Sequence, residues 1–210
     1  MKTLIFPIFI ALLTSCSAQT KKEQTKTQMN MDVQHLDTIT LGGGCYWCME
    51  AVYQRMLGVI TSESGFSGGY VKNPAYKEVC NGTTGHAEVV QIVYDKNKTS
   101  LEKILAVFFT VHDPTTLNKQ GADEGTQYRS VVFFRDNEQK ETIEKSIAKL
   151  TAENVYTDAI VTEVKPFEIF YKAEEYHQNY YNQNKQQPYC QYVVKSKVDK
   201  FEKLFSDIKK

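Results

Sequence analysis

The chain has 210 residues, 41% hydrophobic and 24% charged, and its 25 basic and 25 acidic side chains cancel. That size and composition suit one soluble globular domain with a core of its own. The charge balance argues against a basic nucleic-acid-binding surface.

The start does not read as part of the fold. Lys2 precedes an apolar stretch over residues 4–13, too short to cross a bilayer as a mature helix and suited to a signal-peptide core. The stretch ends Leu13-Thr14-Ser15-Cys16-Ser17, which resembles the lipobox of bacterial lipoproteins. The resemblance implies that residues 1–15 are removed and that Cys16 becomes the lipidated first residue. The mature chain would then sit in the cell envelope outside the cytoplasm, on the periplasmic or outer face, touching the membrane only through its anchor. Ordinary secretion, with cleavage after Ala11 or Ala18, is the alternative. Residues 16–36 are rich in Thr, Lys and Gln, lack aromatics and read as a flexible tether. A single folded domain is expected over residues 37–210.

Residues 38–41 are β-like and lead into Gly42-Gly43-Gly44; a helix-like run follows over residues 49–57. This order puts Cys45 at the first turn of a helix. The first N–H groups there have no internal partner and the helix dipole is positive, so a lowered thiol pKa is expected. Tyr46 and Trp47 add an aromatic wall. A strand-turn-helix joint with an inert buried cysteine is the plain alternative.

Further on, Gly58 reads as a helix stop, residues 59–66 as a strand and Ser67-Gly68-Gly69 as a turn. Residues 73–86 form a loop with a turn of helix at residues 76–80, before a β-branched strand over residues 87–94. Ser100 caps a helix whose Leu101, Ile104, Leu105, Phe108 and Val111 follow the 3.6 period. Asp113-Pro114 ends it. A polar loop leads to a strand over residues 128–135, and Asp136 or Asn137 caps a charged helix. Another strand is expected at residues 159–164. Residues 173–184 read as a polar helix, residues 186–192 as irregular, and residues 197–208 as an amphipathic helix with Val198, Phe201, Leu204, Phe205 and Ile208 inward. Strands and helices alternate without strict βαβ spacing, which suits a two-layer α/β sandwich with a mixed sheet.

Several stretches recur together in one family. Gly44-Cys45-Tyr46-Trp47 is followed by Gly68-Gly69-Tyr70, Asn73-Pro74-Ala75-Tyr76, Val79-Cys80-Asn81-Gly82-Thr83-Thr84-Gly85-His86-Ala87-Glu88 and His112-Asp113-Pro114. Then come Gly125-Thr126-Gln127-Tyr128-Arg129-Ser130, Ala173-Glu174-Glu175-Tyr176-His177-Gln178 and Pro188-Tyr189-Cys190. This ordered set resembles the A-type peptide methionine sulfoxide reductases. The resemblance implies an α+β fold with a ferredoxin-like core, long loops and a coil-rich C-terminal segment.

It also implies a reaction: thiol-dependent reduction of methionine-S-sulfoxide, in proteins and with free substrate left open. Cys45 would be the nucleophile and Glu88, with a pKa raised by burial, the general acid. Tyr76 and Tyr128 would donate hydrogen bonds to the sulfoxide oxygen, and Asp123 would support the site. Tyr46 and Trp47 would wall a pocket for the S-methyl group. The sulfenic acid left on Cys45 would condense with a second thiol. The resemblance matches Cys190 to that role. Here, however, Cys48 stands where the family usually has glycine, about 5–6 Å from Cys45 along a helix and within disulfide reach. Both thiols remain candidates, with Cys190 preferred as the first. No bound cofactor or metal is implied. The partners implied are sulfoxide-containing proteins or peptides and a thioredoxin-like reductant, dithiothreitol serving in vitro; a monomer is expected.

Two other readings compete. Cys45-x-x-Cys48 after a strand also suits a thioredoxin-like oxidoreductase, which leaves Glu88, Tyr76, Tyr128 and Cys190 unexplained. A non-enzymatic lipoprotein could use the aromatic wall to bind methionine. Cys80 and His86 lack the spacing of a structural zinc site. Cys80 is expected to pack quietly, and His86, His112 and His177 to hold loops by hydrogen bonds.

Overall fold

The computed structural model describes residues 35–210; the expected signal peptide, Cys16 and most of the expected tether lie outside the described residues. The fold is α+β, built on a six-stranded mixed sheet in the order β7-β6-β1-β3-β2-β8. Its strands are β1 (Leu36–Gly43), β2 (Val59–Ser67), β3 (Ala87–Asp95), β6 (Ser130–Phe134), β7 (Glu163–Pro166) and β8 (Tyr171–Lys172). β6 and β7 run parallel; the other neighbours are antiparallel. A separate small hairpin pairs β4 (Lys119–Gln120) with β5 (Asp123–Glu124).

The helices are α1 (Tyr46–Tyr53), α2 (Tyr76–Cys80), α3 (Leu101–Val111), α4 (Asn137–Ala152), α5 (Tyr180–Gln183) and α6 (Lys195–Leu204). α3 forms where its 3.6 period predicts. The Ser100 hydroxyl accepts from the Lys103 N–H at 3.4 Å, and Ile104, Leu105 and Phe108 are fully buried. Each such side chain contributes about 1.5–3 kcal/mol through burial. The Asp136 carboxylate caps α4 by accepting from the Gln139 N–H at 2.8 Å. One continuous core joins the inner faces of β1, β2 and β3 to α1, α3 and α6.

Two glycines set the geometry around Cys45. Gly42 lies inside β1, where a Cβ would come within 2.8 Å of Val131 Cγ1 and 3.0 Å of the Glu88 carbonyl oxygen. Its absence lets β1 sit tightly between β6 and β3. Gly44 has φ +86°, a left-handed conformation that turns the chain out of the strand, and a side chain there would also strike Gln120.

Several boundaries differ from the sequence reading. The first helix starts at Tyr46 and ends at Tyr53, earlier than expected. The strand expected at residues 159–164 forms instead at Glu163–Pro166, where it finds Val131–Phe134 as a parallel partner. Residues 173–184 are not one helix: a 3-10 turn (Glu175–His177) and the single-turn α5 flank Asn179, held at φ +53°. The stretch expected to be irregular winds into a π-helical turn (Cys190–Val194) that runs directly into α6. Leu204 is exposed rather than inward.

Candidate active site

Cys45 is the residue that opens α1, and it has extended backbone angles (φ −57°, ψ 126°). Its neighbour's amide is already committed: the Tyr46 N–H donates to Glu88 Oε2 at 3.1 Å. Glu88 reaches the helix entrance from β3, the strand next to β1, and is 2% exposed. Burial pushes its carboxyl up from 4.5 to about 8, against the opposing pull of the Tyr46 N–H. It is therefore a protonated acid at neutral pH, as a general acid requires.

The two phenols arrive on loops tied to each other. Tyr76 begins α2, and Tyr128 ends the 3-10 turn Thr126–Tyr128. Gln127 Nε2 donates to the Cys80 carbonyl at 3.3 Å, joining that turn to α2. The buried Arg129 donates to the Thr126 and Gly85 carbonyls, so it clamps the same turn to the bend that precedes Glu88. Burial raises both phenol pKa values, and the Glu88 charge adds to the effect. Both phenols stay protonated and able to donate.

Asp123 has a definite partner: the Tyr189 hydroxyl donates to its Oδ2 at 2.6 Å. Tyr189 also acts on the thiols of Cys45 and Cys48, pulling both pKa values down, and its ring meets Trp47 edge-on at 6.1 Å. Tyr189 stands in the sequence within Pro188-Tyr189-Cys190, where nothing marks a task for it. The signal available was its position beside a candidate thiol.

The wall is thicker than two residues. Trp47 stacks flat on Tyr180, with centroids 3.8 Å apart and 8° between planes, and Tyr46 lies against Phe66 and His177. His86 and His112 hold loops as expected. Gly69 N–H donates to His86 Nδ1 and His86 Nε2 meets the Val71 carbonyl; His112 bridges the Phe108 carbonyl and the Ser130 hydroxyl. His177 departs from that expectation: it is 2% exposed, sits among Tyr46, Trp47, Tyr76 and Tyr176, and neither ring nitrogen has a hydrogen-bond partner. Cys80 is half-buried and acts on the Tyr76 phenol, raising its pKa, so it borders the site.

All four described cysteines are free thiols. The Cys45 thiol interacts with that of Cys48, and its pKa is raised, not lowered. Burial pushes it up first, and Cys48 and the Glu88 charge add to that. Desolvation at 7% exposure outweighs the positive helix start on which the sequence reading relied. Cys190 is fully buried, and burial and its neighbour Cys48 both raise its pKa. Among the described residues no group of three or more His, Cys, Asp or Glu side chains is arranged to hold a metal. A groove of about 1070 Å³ between α3 and α4 contains none of Cys45, Glu88, Tyr76 or Tyr128.

A soft nucleophile, a buried proton donor and two phenols thus converge beside an aromatic wall, which is the equipment for reducing an S–O bond flanked by a methyl group. The comparisons agree. A family profile described as "Peptide methionine sulfoxide reductase" matches residues 37–209. The chain is 52% identical over 172 residues to Peptide methionine sulfoxide reductase MsrA of Saccharolobus solfataricus, covering 82% of this chain and 96% of that one. It is 55% identical over 171 residues to MsrA 1 of Rhodopirellula baltica, covering 81% and 88%. Among solved structures, reduced Mxr1 from Saccharomyces cerevisiae superposes with a TM-score of 0.69 at 34% identity, covering 76% of this chain and 91% of that one. Methionine sulfoxide reductase A of Corynebacterium diphtheriae gives a TM-score of 0.64 at 34% identity, covering 71% and 76%. This chain belongs to the peptide methionine sulfoxide reductases of the MsrA type.

Proposed function

We propose that Cys45, Glu88, Tyr76 and Tyr128 carry out the reduction of methionine-S-sulfoxide, and that Cys48 and Cys190 return Cys45 to its thiol. The overall reaction follows from the family: a thiol reduces the sulfoxide to methionine, and an external thiol reductant restores the enzyme. The observation carrying the assignment of roles is the buried Glu88 carboxyl bonded to the residue after Cys45. Cys45 Sγ attacks the sulfoxide sulfur while Glu88 gives a proton to the oxygen. The thiol's own proton passes to Glu88 and replaces the one given, the hydroxyl moves from the methionine sulfur to Cys45 Sγ as the S–S bond breaks, and methionine leaves with Cys45 as sulfenic acid. Tyr76 and Tyr128 hydrogen-bond that oxygen as charge builds on it. A sulfoxide peptide incubated with dithiothreitol should lose its S epimer only. Failure to consume it removes this reading.

The sulfenic acid then condenses with a thiol, releasing water and leaving a disulfide. Cys48, three residues on from Cys45 in α1 and interacting with its thiol, is the better-placed first partner, and Cys190, whose thiol in turn feels Cys48, takes the disulfide onward. This reverses the order that the family resemblance favours. Cys190→Ser should then still form the Cys45–Cys48 disulfide after one turnover, but lose at least about tenfold in steady state with a thioredoxin-like dithiol. Cys48→Ser should accumulate a sulfenic acid that dimedone traps. The opposite pattern, with sulfenic acid accumulating only in Cys190→Ser, restores Cys190 as the first resolver.

A thioredoxin-like protein is the donor on this reading. The enzyme acts as a monomer held in the cell envelope by lipid on Cys16, where it repairs oxidised proteins. Cys16→Ala should move it from the membrane fraction to the soluble one; retention in the membrane overturns the anchor.

A further inference from the structure

On its outer side β2 has only the two-residue strand β8, which ends at Lys172. The Ala173 N–H still donates to the Ser64 carbonyl at 3.0 Å. Beyond it a side chain takes the place of a strand. Gln178 Oε1 accepts from the Ser64 N–H at 3.0 Å, and its Nε2 donates to the Ser64 and Ala173 carbonyls, both at 2.9 Å. Ser64 is fully buried and Gln178 is 8% exposed. One acceptor faces one N–H and two donors face two carbonyls, so the amide fits in this orientation alone. Buried main-chain groups need such partners, because leaving one unpaired is costly.

Gln178 thereby anchors a segment with little regular structure of its own. It lies between the 3-10 turn Glu175–His177 and the single-turn α5, which is entered through Asn179 at φ +53°. The residue before it, His177, lies against Tyr46 and Trp47, with ring centroids 5.4 and 5.6 Å away. Two residues after it, Tyr180 stacks flat on Trp47 at 3.8 Å. The far end of the segment is tied at the surface: Asn182 Nδ2 donates to Gln54 Oε1 at 3.0 Å, and its Oδ1 accepts from Arg55 at 2.8 Å. Those bonds are exposed and compete with water, whereas the three made by the Gln178 amide are buried.

We infer that Gln178 is a positioning residue for the methyl-binding wall: its amide, spanning Ser64 and Ala173, holds His177 and Tyr180 against Trp47. The inference rests on Trp47 walling the substrate pocket. The side-chain bonds of Gln178 run to Ser64 and Ala173, not to the sulfur or to a proton donor. Its loss should therefore weaken substrate binding and leave the chemical step nearly as fast.

Trp47 is the chain's single tryptophan, so its emission reads this wall directly. Gln178→Met keeps the length of the side chain and removes all three bonds. Trp47 emission should change, and KM for a methionine-S-sulfoxide peptide should rise about tenfold while kcat changes less than about threefold. Tyr180→Leu removes the stack with the Gln178 amide intact and should give the same split. The double variant should be no worse than the poorer single one, since Gln178 acts through the rings it holds. Unchanged emission and KM in Gln178→Met, a kcat that falls as far as kcat/KM, or losses that add in the double variant overturn the inference. Should Gln178→Met fail to fold, Gln178→Glu is read in its place. It keeps an acceptor for the Ser64 N–H and gives up the amide donor, so a raised KM with kcat kept supports the inference and an unchanged KM overturns it. A wild-type enzyme that consumes no sulfoxide removes the functional reading and this inference with it; where the wild type turns over, failure of the variants is failure of the inference alone.

Discussion

Replacing Cys45 by serine is expected to abolish sulfoxide reduction, lowering kcat/KM by at least about ten-thousandfold. A hydroxyl is nearly isosteric, so the opening of α1 and the Tyr46 N–H bond to Glu88 should survive. What is lost is a soft nucleophile able to accept oxygen from sulfur and hold it as sulfenic acid. The check is loss of the S epimer with excess dithiothreitol, beside circular dichroism to show that the fold persists. Retained turnover would move the nucleophile to Cys48 and with it the whole scheme.

The same sulfur carries a subtler expectation. Because burial raises the Cys45 pKa, the resting thiol should alkylate slowly at neutral pH, whatever its place at a helix start. Loss of the Glu88 proton places a negative charge beside Cys45 and raises its pKa further. The thiolate is thus best formed while Glu88 is protonated, and its own proton must leave as the sulfoxide oxygen gains one. Nucleophile and acid are therefore coupled through one small desolvated space, and reactivity appears only with substrate in place.

Local signals made much of this legible in the sequence. α3 announced itself by Ser100 and an apolar 3.6 period, and α2 by one turn within a glycine-bounded loop. Cys45 was legible because a strand, three glycines and a helix pattern can leave little else at that joint. Glu88 was legible only from its neighbours; by alternation alone it is a polar residue in a strand, and it is buried with its carboxylate at the opening of α1. The segment from Ala173 to Val194 resisted because its conformation is not set by propensity. Gln178 and Asn182 dictate it through hydrogen bonds to β2 and to the end of α1. Such partners are more than a hundred residues away for Gln178, and no periodicity reports them. The lowered Cys45 pKa failed for a related reason: the helix dipole is local and predictable, whereas desolvation depends on everything folded around it.

Glu88→Gln should cost the enzyme on the order of a hundred- to ten-thousandfold in kcat, the usual range for a positioned proton donor. The amide keeps an oxygen that can accept from the Tyr46 N–H, so the helix entrance is preserved while the transferable proton is not. The pH dependence separates this from a packing defect. In the wild type the carboxyl titrates near 8 instead of 4.5. It is protonated below that value, so the Glu88-dependent part of kcat/KM should be full at neutral pH and fall as pH rises through about 8. The variant has no such proton and should lack that falling limb. Stability gives an independent reading of the same group. A folded pKa raised above the unfolded one stabilises the fold fully below about 4.5 and loses that contribution as pH rises through about 8, where the wild type must bury a charge. Thermal midpoints should therefore show the wild type losing stability between those limits relative to Glu88→Gln, which buries only a neutral amide. A wild-type enzyme whose activity and midpoint both ignored this window would mean that Glu88 is ionised at work, and the proton would have to come from Tyr76 or Tyr128.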